Sequence, residues 1–198
     1  MRYRDYKNFQ PNSYYHIYNR GQNCEKIFLD AQDYKAFLRR LQIALGQITD
    51  DKFKIKTLLP NTFYILAYCL MSNHYHFLIR QNTDIPIGTL VTKVTTSYSR
   101  YFNTKYKKIG NIFQDTFKAK LIDHNSYLTY LSAYIHNNPN KPHTYPYSSY
   151  REYLNPKLAN ISLPKTILSY FKNIEQYKKF VDRYTLKMHN KIRHLELE

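Results

Sequence analysis

Apolar residues recur along this chain with two different periods, and the switches between them mark out its elements. Residues 13–19 (SYYHIYN) are aromatic and β-prone and stop at the Arg20–Gly21 turn signal, which predicts a first strand. From 31 to 48, Tyr34, Phe37, Leu38, Leu41, Leu45 and Ile48 fall at helical spacing behind Asp30, a side chain suited to capping a helix N-terminus. Residues 61–70 (NTFYILAYCL) and 74–80 (HYHFLIR) are two β-like runs joined by the polar break Ser72–Asn73, the pattern of a hairpin. After Pro86 a second helical stripe runs through Ile87, Leu90, Val91, Val94, Tyr98, Tyr101 and Phe102. Gly110 breaks it, and FKAKLID (Phe117 to Asp123) alternates apolar and basic residues as a half-buried strand does. The order β-α-β-β-α-β predicts an α+β, ferredoxin-like fold: an antiparallel sheet with both helices on one face.

A third helix is expected from Asn125 or Ser126 to about Asn137, ended by Pro139. Prolines 139, 142, 146, 156 and 164 then give loops and short turns. Residues 165–195 return to helical spacing, with Ile167, Leu168, Phe171, Tyr177, Phe180, Val181 and Tyr184 as the apolar positions. The organisation read from this is a core over 1–142 and a basic loop-and-helix appendage over 143–198, suited to docking or to nucleic-acid contact rather than to chemistry. No internal repeat or low-complexity tract interrupts it.

Two segments carry candidate chemistry. In MSNHYHFLI (Met71 to Ile79), strand periodicity puts His74, His76 and Leu78 on one face and Tyr75, Phe77 and Ile79 on the other, so two imidazoles project together within reach of one divalent ion. By itself H-x-H is a weak signal, and a third ligand is needed. In YLTYLSAYIHNNPNKP (Tyr127 to Pro142), helical spacing makes Tyr134 and Asn138 neighbours one turn apart. A tyrosine on the apolar side of a helix commonly serves the core, and an asparagine before a proline commonly serves as a C-cap; both alternatives stay open here.

Composition adds the class of partner. The chain has 198 residues, with 30 Lys+Arg against 14 Asp+Glu, a net charge of +16, and 22 Tyr and 11 Phe interleaved with the cations, as in SYSRYFNTKYKK (Ser97 to Lys108). Cations hold phosphates and flat rings stack on unpaired bases, so a single-stranded nucleic acid is the partner this surface fits. No apolar run approaches a membrane span, and MRYRDYKNFQPN lacks an apolar signal segment. Cys24 and Cys69 are too few for a metal finger or a disulfide framework. A reducing, cytoplasmic setting is expected.

With these segments read, the chain resembles a known family. MSNHYHFLI looks like the metal-binding H-hydrophobic-H motif of the single-tyrosine HUH transposases of the IS200-like group. GNIFQDTFKAKLIDHNSYLTYLSAYIHNNPNKP (Gly110 to Pro142) looks like the signature of their repeat-associated branch, the REP-associated tyrosine transposases. YNRGQNCEKIF (Tyr18 to Phe28) and YSSYREYL (Tyr147 to Leu154) match the family's early turn and post-helix segment, so the resemblance runs in order from about residue 13 to 155. Tyr75 stands where the motif asks only for a hydrophobic residue, and Asn138 replaces the longer Gln of the insertion-sequence branch.

The resemblance implies an endonuclease and strand transferase acting on single-stranded DNA near a hairpin, working in the cytoplasm at the nucleoid as a monomer or homodimer. It also implies that His74, His76 and Asn138 are metal ligands and that Tyr134 is the nucleophile. Two imidazoles and an amide oxygen, with positions left open for phosphate and water, suit Mg²⁺ or Mn²⁺, although imidazoles also accept metals such as Zn²⁺. Attack by Tyr134 on phosphorus leaves a 5′-phosphotyrosine and a 3′-OH and needs no ATP, in keeping with the lack of a P-loop pattern. Candidate DNA contacts are Arg20, Lys93, Arg100, Lys105, Lys107 and Lys108 on phosphates, Phe113 and Gln114 near the cut bases, and Lys118 and Lys120 as positive charge beside the tyrosine. The same basic, aromatic sheet also fits a non-catalytic single-strand DNA or RNA binder, or a metal-independent endoribonuclease with a histidine general base.

Overall fold

The computed structural model describes residues 9–51, 53 and 55–184. Four antiparallel strands form one sheet: β1 (Ser13–Arg20), β2 (Phe63–Met71), β3 (His74–Gln81) and β4 (Lys118–Ile122), in the order β2-β3-β1-β4. Between them run α1 (Ala31–Ala44) and α2 (Ile87–Tyr106), giving the βαββαβ order expected from the periodicities. After β4 come α3 (Asn125–His136) and the shorter α4 (Tyr150–Leu154), α5 (Lys165–Leu168) and α6 (Ile174–Tyr184). The helical pattern beyond Tyr184 lies outside the described residues.

Strand alternation divides the core between the two faces of the sheet. Tyr15, Ile17, Tyr75, Phe77 and Ile79 are buried with Phe37 and Leu41 of α1 and Leu90, Val94, Tyr98 and Phe102 of α2. Leu78, Cys69 and Ala67 point the other way, into a second core formed with Leu128, Leu131 and Ile135 of α3 and with Tyr150, Tyr153, Ile167, Tyr177 and Val181. Thus α1 and α2 share one face, as expected, while α3 and the C-terminal helices cover the opposite one. The segment after α3 also lies along β2: Leu70 N–H donates to the Tyr147 carbonyl at 2.9 Å, Ser149 N–H to Tyr68 at 3.0 Å, and Leu163 N–H to Ile65 at 2.8 Å. A sheet edge that would otherwise offer open hydrogen-bonding groups is thereby covered.

Helix α1 starts as expected and ends early. Asp30 accepts hydrogen bonds from the Gln32 and Asp33 amides, and Asp33 reaches back to the cap amide, a capping box in which aspartate takes the usual glutamate position. The stripe suggested continuation to Ile48, but Gly46 adopts φ +71°. There its N–H meets the Ile43 carbonyl at 3.0 Å while Gln47 N–H meets Gln42 at 2.9 Å, a Schellman closure that turns the chain out of the helix. Among the described residues no helix is long and apolar enough to cross a membrane.

The turn carrying the histidine strand is braced from outside the sheet. The Ser72 carbonyl accepts from the Ile27 and Phe28 amides at 2.8 and 3.0 Å, and the Asn73 carbonyl accepts from Gly21 at 2.8 Å. Gly21 permits this fit because a Cβ there would lie 2.1 Å from the Glu25 carbonyl oxygen and 2.9 Å from Ile27 Cγ2. Gly21→Ala is expected to lower stability by about 1–3 kcal/mol, the usual cost of overpacking. The check is a lower denaturant midpoint at unchanged slope; an unshifted midpoint would show that the loop yields without cost.

Candidate active site

The two-residue period of β3 does place His74 and His76 on one face, and that face looks toward α3. Their rings stand nearly perpendicular (82°) with centroids 5.1 Å apart. His76 is almost wholly buried, at 3% exposure, whereas His74 is half-buried near the hairpin turn. Burial, together with the neighbouring His16 and His74, drives the His76 pKa well below that of an ordinary imidazole. His16 is likewise pushed down to about 3 by burial and by the Lys120 charge. Both are therefore neutral at pH 7, the form in which an imidazole binds metal.

Both histidines have ring nitrogens held by neighbouring side chains, His74 at both positions and His76 at Nδ1. The Asn73 amide donates from Nδ2 to the Cys24 carbonyl at 3.3 Å, which turns its Oδ1 to His74 Nδ1, 2.7 Å away. An oxygen that can only accept requires Nδ1–H on that side, so neutral His74 presents a lone pair at Nε2. That lone pair faces Asn138 Oδ1 at 2.9 Å. Two acceptors so close repel unless a proton or cation lies between them. At 2.9 Å the pair is at an ordinary hydrogen-bond distance, which is also compatible with neighbouring donors around a small octahedral ion, about 3 Å apart when each lies about 2.1 Å from the ion. On the other histidine, His76 Nδ1 is 3.0 Å from His16 Nε2. The donor set fits a divalent ion: two imidazole nitrogens and one amide oxygen, from a strand and from the residue just past a helix. Among the described residues no cluster of three or more His, Cys, Asp or Glu side chains could hold a metal, so any site here relies on the amide as third donor.

Asn138 reaches this position although α3 closes before it. Asn137 is the C-cap, with φ −86° and ψ 2°, and the Asn138 amide points back to the Ile135 carbonyl at 3.4 Å. The chain thus leaves the helix where Pro139 requires and still carries Asn138 to His74. One turn earlier, Tyr134 is half-buried, with its ring 5.5 Å from that of His76 at 78° and 6.3 Å from that of His16 at 84°. The phenol therefore comes to the imidazoles within a single chain. Helix α3 is fixed in this pose from behind: His136 bonds Ser149 Oγ through Nε2 and the Tyr177 hydroxyl through Nδ1, each at 2.8 Å, and Asn137 Nδ2 donates to the Val181 carbonyl at 2.7 Å.

The candidate DNA contacts fall into separate groups. Lys118 and Lys120 stand exposed on β4, opposite Tyr18 and His16, with their ammonium groups 5.7 Å from the Tyr18 ring and 5.5 Å from the Tyr127 ring. Arg20, at the end of β1, is exposed and hydrogen-bonded to exposed Gln114. Lys93 and Arg100 lie on the other side of the sheet, lining with Thr89, Thr96 and Lys56 a groove of about 1250 Å³ along α2. Lys107 is exposed at the end of α2, and Lys108 pairs with Glu25 at 3.2 Å. Two more are engaged inside the fold. Phe113 is buried in the α1/α2 core, and the Lys105 ammonium is held by Asp30 and Asp33 at 2.7 and 2.8 Å. His16 and Asn73 carried no functional assignment in the sequence; their bearing on the histidine pair depends on strand register and loop packing, which no local pattern encodes.

A family model for IS200-like transposases matches residues 11–138, from the start of β1 to Asn138. No curated protein matches the chain. Among solved structures, a REP-associated tyrosine transposase bound to a REP hairpin superposes with a TM-score of 0.60 at 15% identity, over 82% of this chain and 90% of that one, which shows a shared fold. A Deinococcus radiodurans R1 protein described as a candidate transposase aligns with a TM-score of 0.43 at 14% identity, over 66% of this chain and 94% of that one. Since the matched family segment takes in the whole sheet, α1, α2 and the helix bearing Tyr134, the chain belongs to the IS200-like transposase family.

Proposed function

We propose that this DNA-processing transposase family member is a metal-dependent endonuclease and strand transferase for single-stranded DNA beside a hairpin, working through a 5′-phosphotyrosine on Tyr134. The observation that carries this reading is the placement of the Tyr134 ring 5.5 Å from His76, on the same side as the His74–Asn138 pair. His74 and His76, each through Nε2, and Asn138 through Oδ1 would hold a divalent ion: the coordination positions left for phosphate and water suit Mg²⁺ or Mn²⁺, and the two imidazoles would also accept Zn²⁺. Such an ion would supply charge neutralisation for the non-bridging oxygens of the scissile phosphate.

The chain's own residues do the rest. The Tyr134 oxygen attacks phosphorus, its proton passing to solvent; the new O–P bond forms as the P–O3′ bond breaks, and the departing oxygen takes up a proton as a 3′-OH. Lys118 and Lys120 place positive charge along β4, where it favours a phenolate and draws in the strand. Arg20 and Gln114 sit at the end of β1 as contacts for the strand near the cut. The likeness to a hairpin-bound transposase supports a hairpin as the folded part of the substrate, with Lys93, Arg100, Lys107 and Lys108 as candidate phosphate contacts. Later attack by a 3′-OH on the phosphotyrosine rejoins strands without an external energy source.

The test uses end-labelled single-stranded oligonucleotides carrying hairpin-forming inverted repeats, incubated with protein and Mn²⁺. An SDS-resistant adduct on the fragment 3′ of the cut, a free 3′-OH on the other fragment, and loss of both on adding EDTA are expected. Hairpin binding unaffected by EDTA, with no strand cut, would leave a binder in place of the enzyme. RNA cleavage that survives EDTA and leaves cyclic phosphate ends would indicate the endoribonuclease instead.

A further inference from the structure

We infer that His16 is a positioning residue whose imidazole accepts a hydrogen bond from His76 Nδ1–H and so turns His76 Nε2 toward the ligand set. This rests on the metal-site reading above and extends it to a residue with no part in that reading.

An imidazole has two nitrogens, and the one that faces a metal is decided by what holds the other. For His74 the holder is the Asn73 amide oxygen at 2.7 Å. For His76 the corresponding place, at Nδ1, is taken by His16 Nε2 at 3.0 Å, the two rings lying nearly parallel (20°) with centroids 5.2 Å apart. Strand pairing sets this contact: His16 stands opposite Leu78 on β3, which makes His76 its diagonal neighbour on the same face. His16 is itself only 4% exposed and stacks on Tyr18 at 4.7 Å, so its ring plane is fixed before any ligand arrives.

Between two neutral imidazoles one nitrogen must donate and the other accept, and the direction decides function. Were His16 Nε2 the donor, His76 Nδ1 would be the acceptor and the His76 proton would sit on Nε2, blocking it as a ligand. With the bond in the other direction, His16 carries its own proton on Nδ1 and His76 Nε2 carries none, the form in which it can serve as a ligand. His16 then does what a carboxylate or a backbone carbonyl commonly does behind a metal-binding histidine, without adding negative charge to a site that must accept a phosphate.

The experiment measures Mn²⁺ binding to DNA-free protein by calorimetry for wild type, His74→Ala, His16→Phe and His16→Gln, with the melting temperature of each metal-free form. His16→Phe keeps a ring but no acceptor and is expected to weaken Mn²⁺ by about 10–100-fold. His16→Gln restores an acceptor oxygen and is expected to recover most of that loss. Nitrogen-15 spectra of Mg²⁺-saturated wild type should show the His76 proton on Nδ1. Equal Mn²⁺ affinity for His16→Phe and wild type, while His74→Ala binds none, overturns the role of His16 and leaves the metal site standing. A wild type that binds no better than His74→Ala removes the metal reading and this inference together. A His76 proton found on Nε2 overturns the inference even where the variants fail to fold.

Discussion

Tyr134→Phe is expected to abolish the covalent protein–DNA adduct and to slow strand cleavage at least about a thousandfold, while the melting temperature stays within a degree or two. Losing the nucleophile of a covalent mechanism removes a bond that no neighbour can form, and a thousandfold corresponds to about 4 kcal/mol of activation free energy. The fold should not register the change. Phenylalanine keeps the ring set against His76 and His16, and Leu131, Ala133 and Ile135 still anchor the helix in the core. Helix α3 supplies its own controls. Tyr127 lies under Lys120 at 5.5 Å, and Tyr130 packs on Phe180 and Tyr184 at 5.5 and 4.7 Å, so Tyr127→Phe and Tyr130→Phe should cut at rates near wild type. Single-turnover cleavage and SDS gels on labelled hairpin DNA decide the matter. Undiminished adduct in Tyr134→Phe would move the nucleophile elsewhere.

Local periodicity made the ferredoxin-like order legible because each element shows its own repeat over seven or more residues, two for strands and 3.6 for helices. The same rule put His74 and His76 on one face, a relation within β3, and Tyr134 one turn from Asn138, a neighbourhood in sequence that survives although α3 closes at His136 and Asn138 follows its C-cap. What stayed hidden depends on relations between elements. His16 meets His76 across the β1–β3 register, at a sequence separation of 60 residues, and a lone histidine in an aromatic strand gives no sign of its partner. Lys105 reads as one more cation in a basic stretch, but its ammonium closes on Asp33, 72 residues earlier. Asp33 is fully buried and also takes hydrogen bonds from the Tyr101 and Tyr106 hydroxyls, at 3.1 and 2.8 Å, and from the Leu29 amide, at 2.8 Å, so Lys105 balances a charge inside the protein. Phe113 falls in a stretch without period, and its place in the core follows from the bridge between Gly21 and Phe113 beside β1.

His136→Ala is expected to destabilise the protein by about 3–4 kcal/mol and to remove part of its sensitivity to acid. His136 is fully buried, with its ring 4.6 Å from that of Tyr153 and 5.1 Å from that of Tyr150. Truncation leaves a cavity and deprives the Ser149 and Tyr177 hydroxyls of a partner each, two costs that add. A change of that size lowers the melting temperature of a chain this long by roughly 6–16 °C. The acid response follows from the same burial, which depresses the His136 pKa from 6.5 to about 3. Because the folded state resists the proton that the unfolded chain accepts, the stabilising contribution is complete above pH 6.5 and is lost as pH falls toward 3. At pH 5 the loss is about 2 kcal/mol. Buried His16 adds to wild type with the same sign, so the quantity to measure is the difference: urea midpoints from pH 7.5 to 5 should converge for wild type and His136→Ala. Parallel curves would mean that His136 does not resist protonation in the folded protein. Because His136 ends α3 between Tyr134 and Asn138 in the chain, the variant should also lose single-turnover cleavage under conditions where it remains folded, which ties the C-terminal helices to the placing of the nucleophile rather than to stability alone.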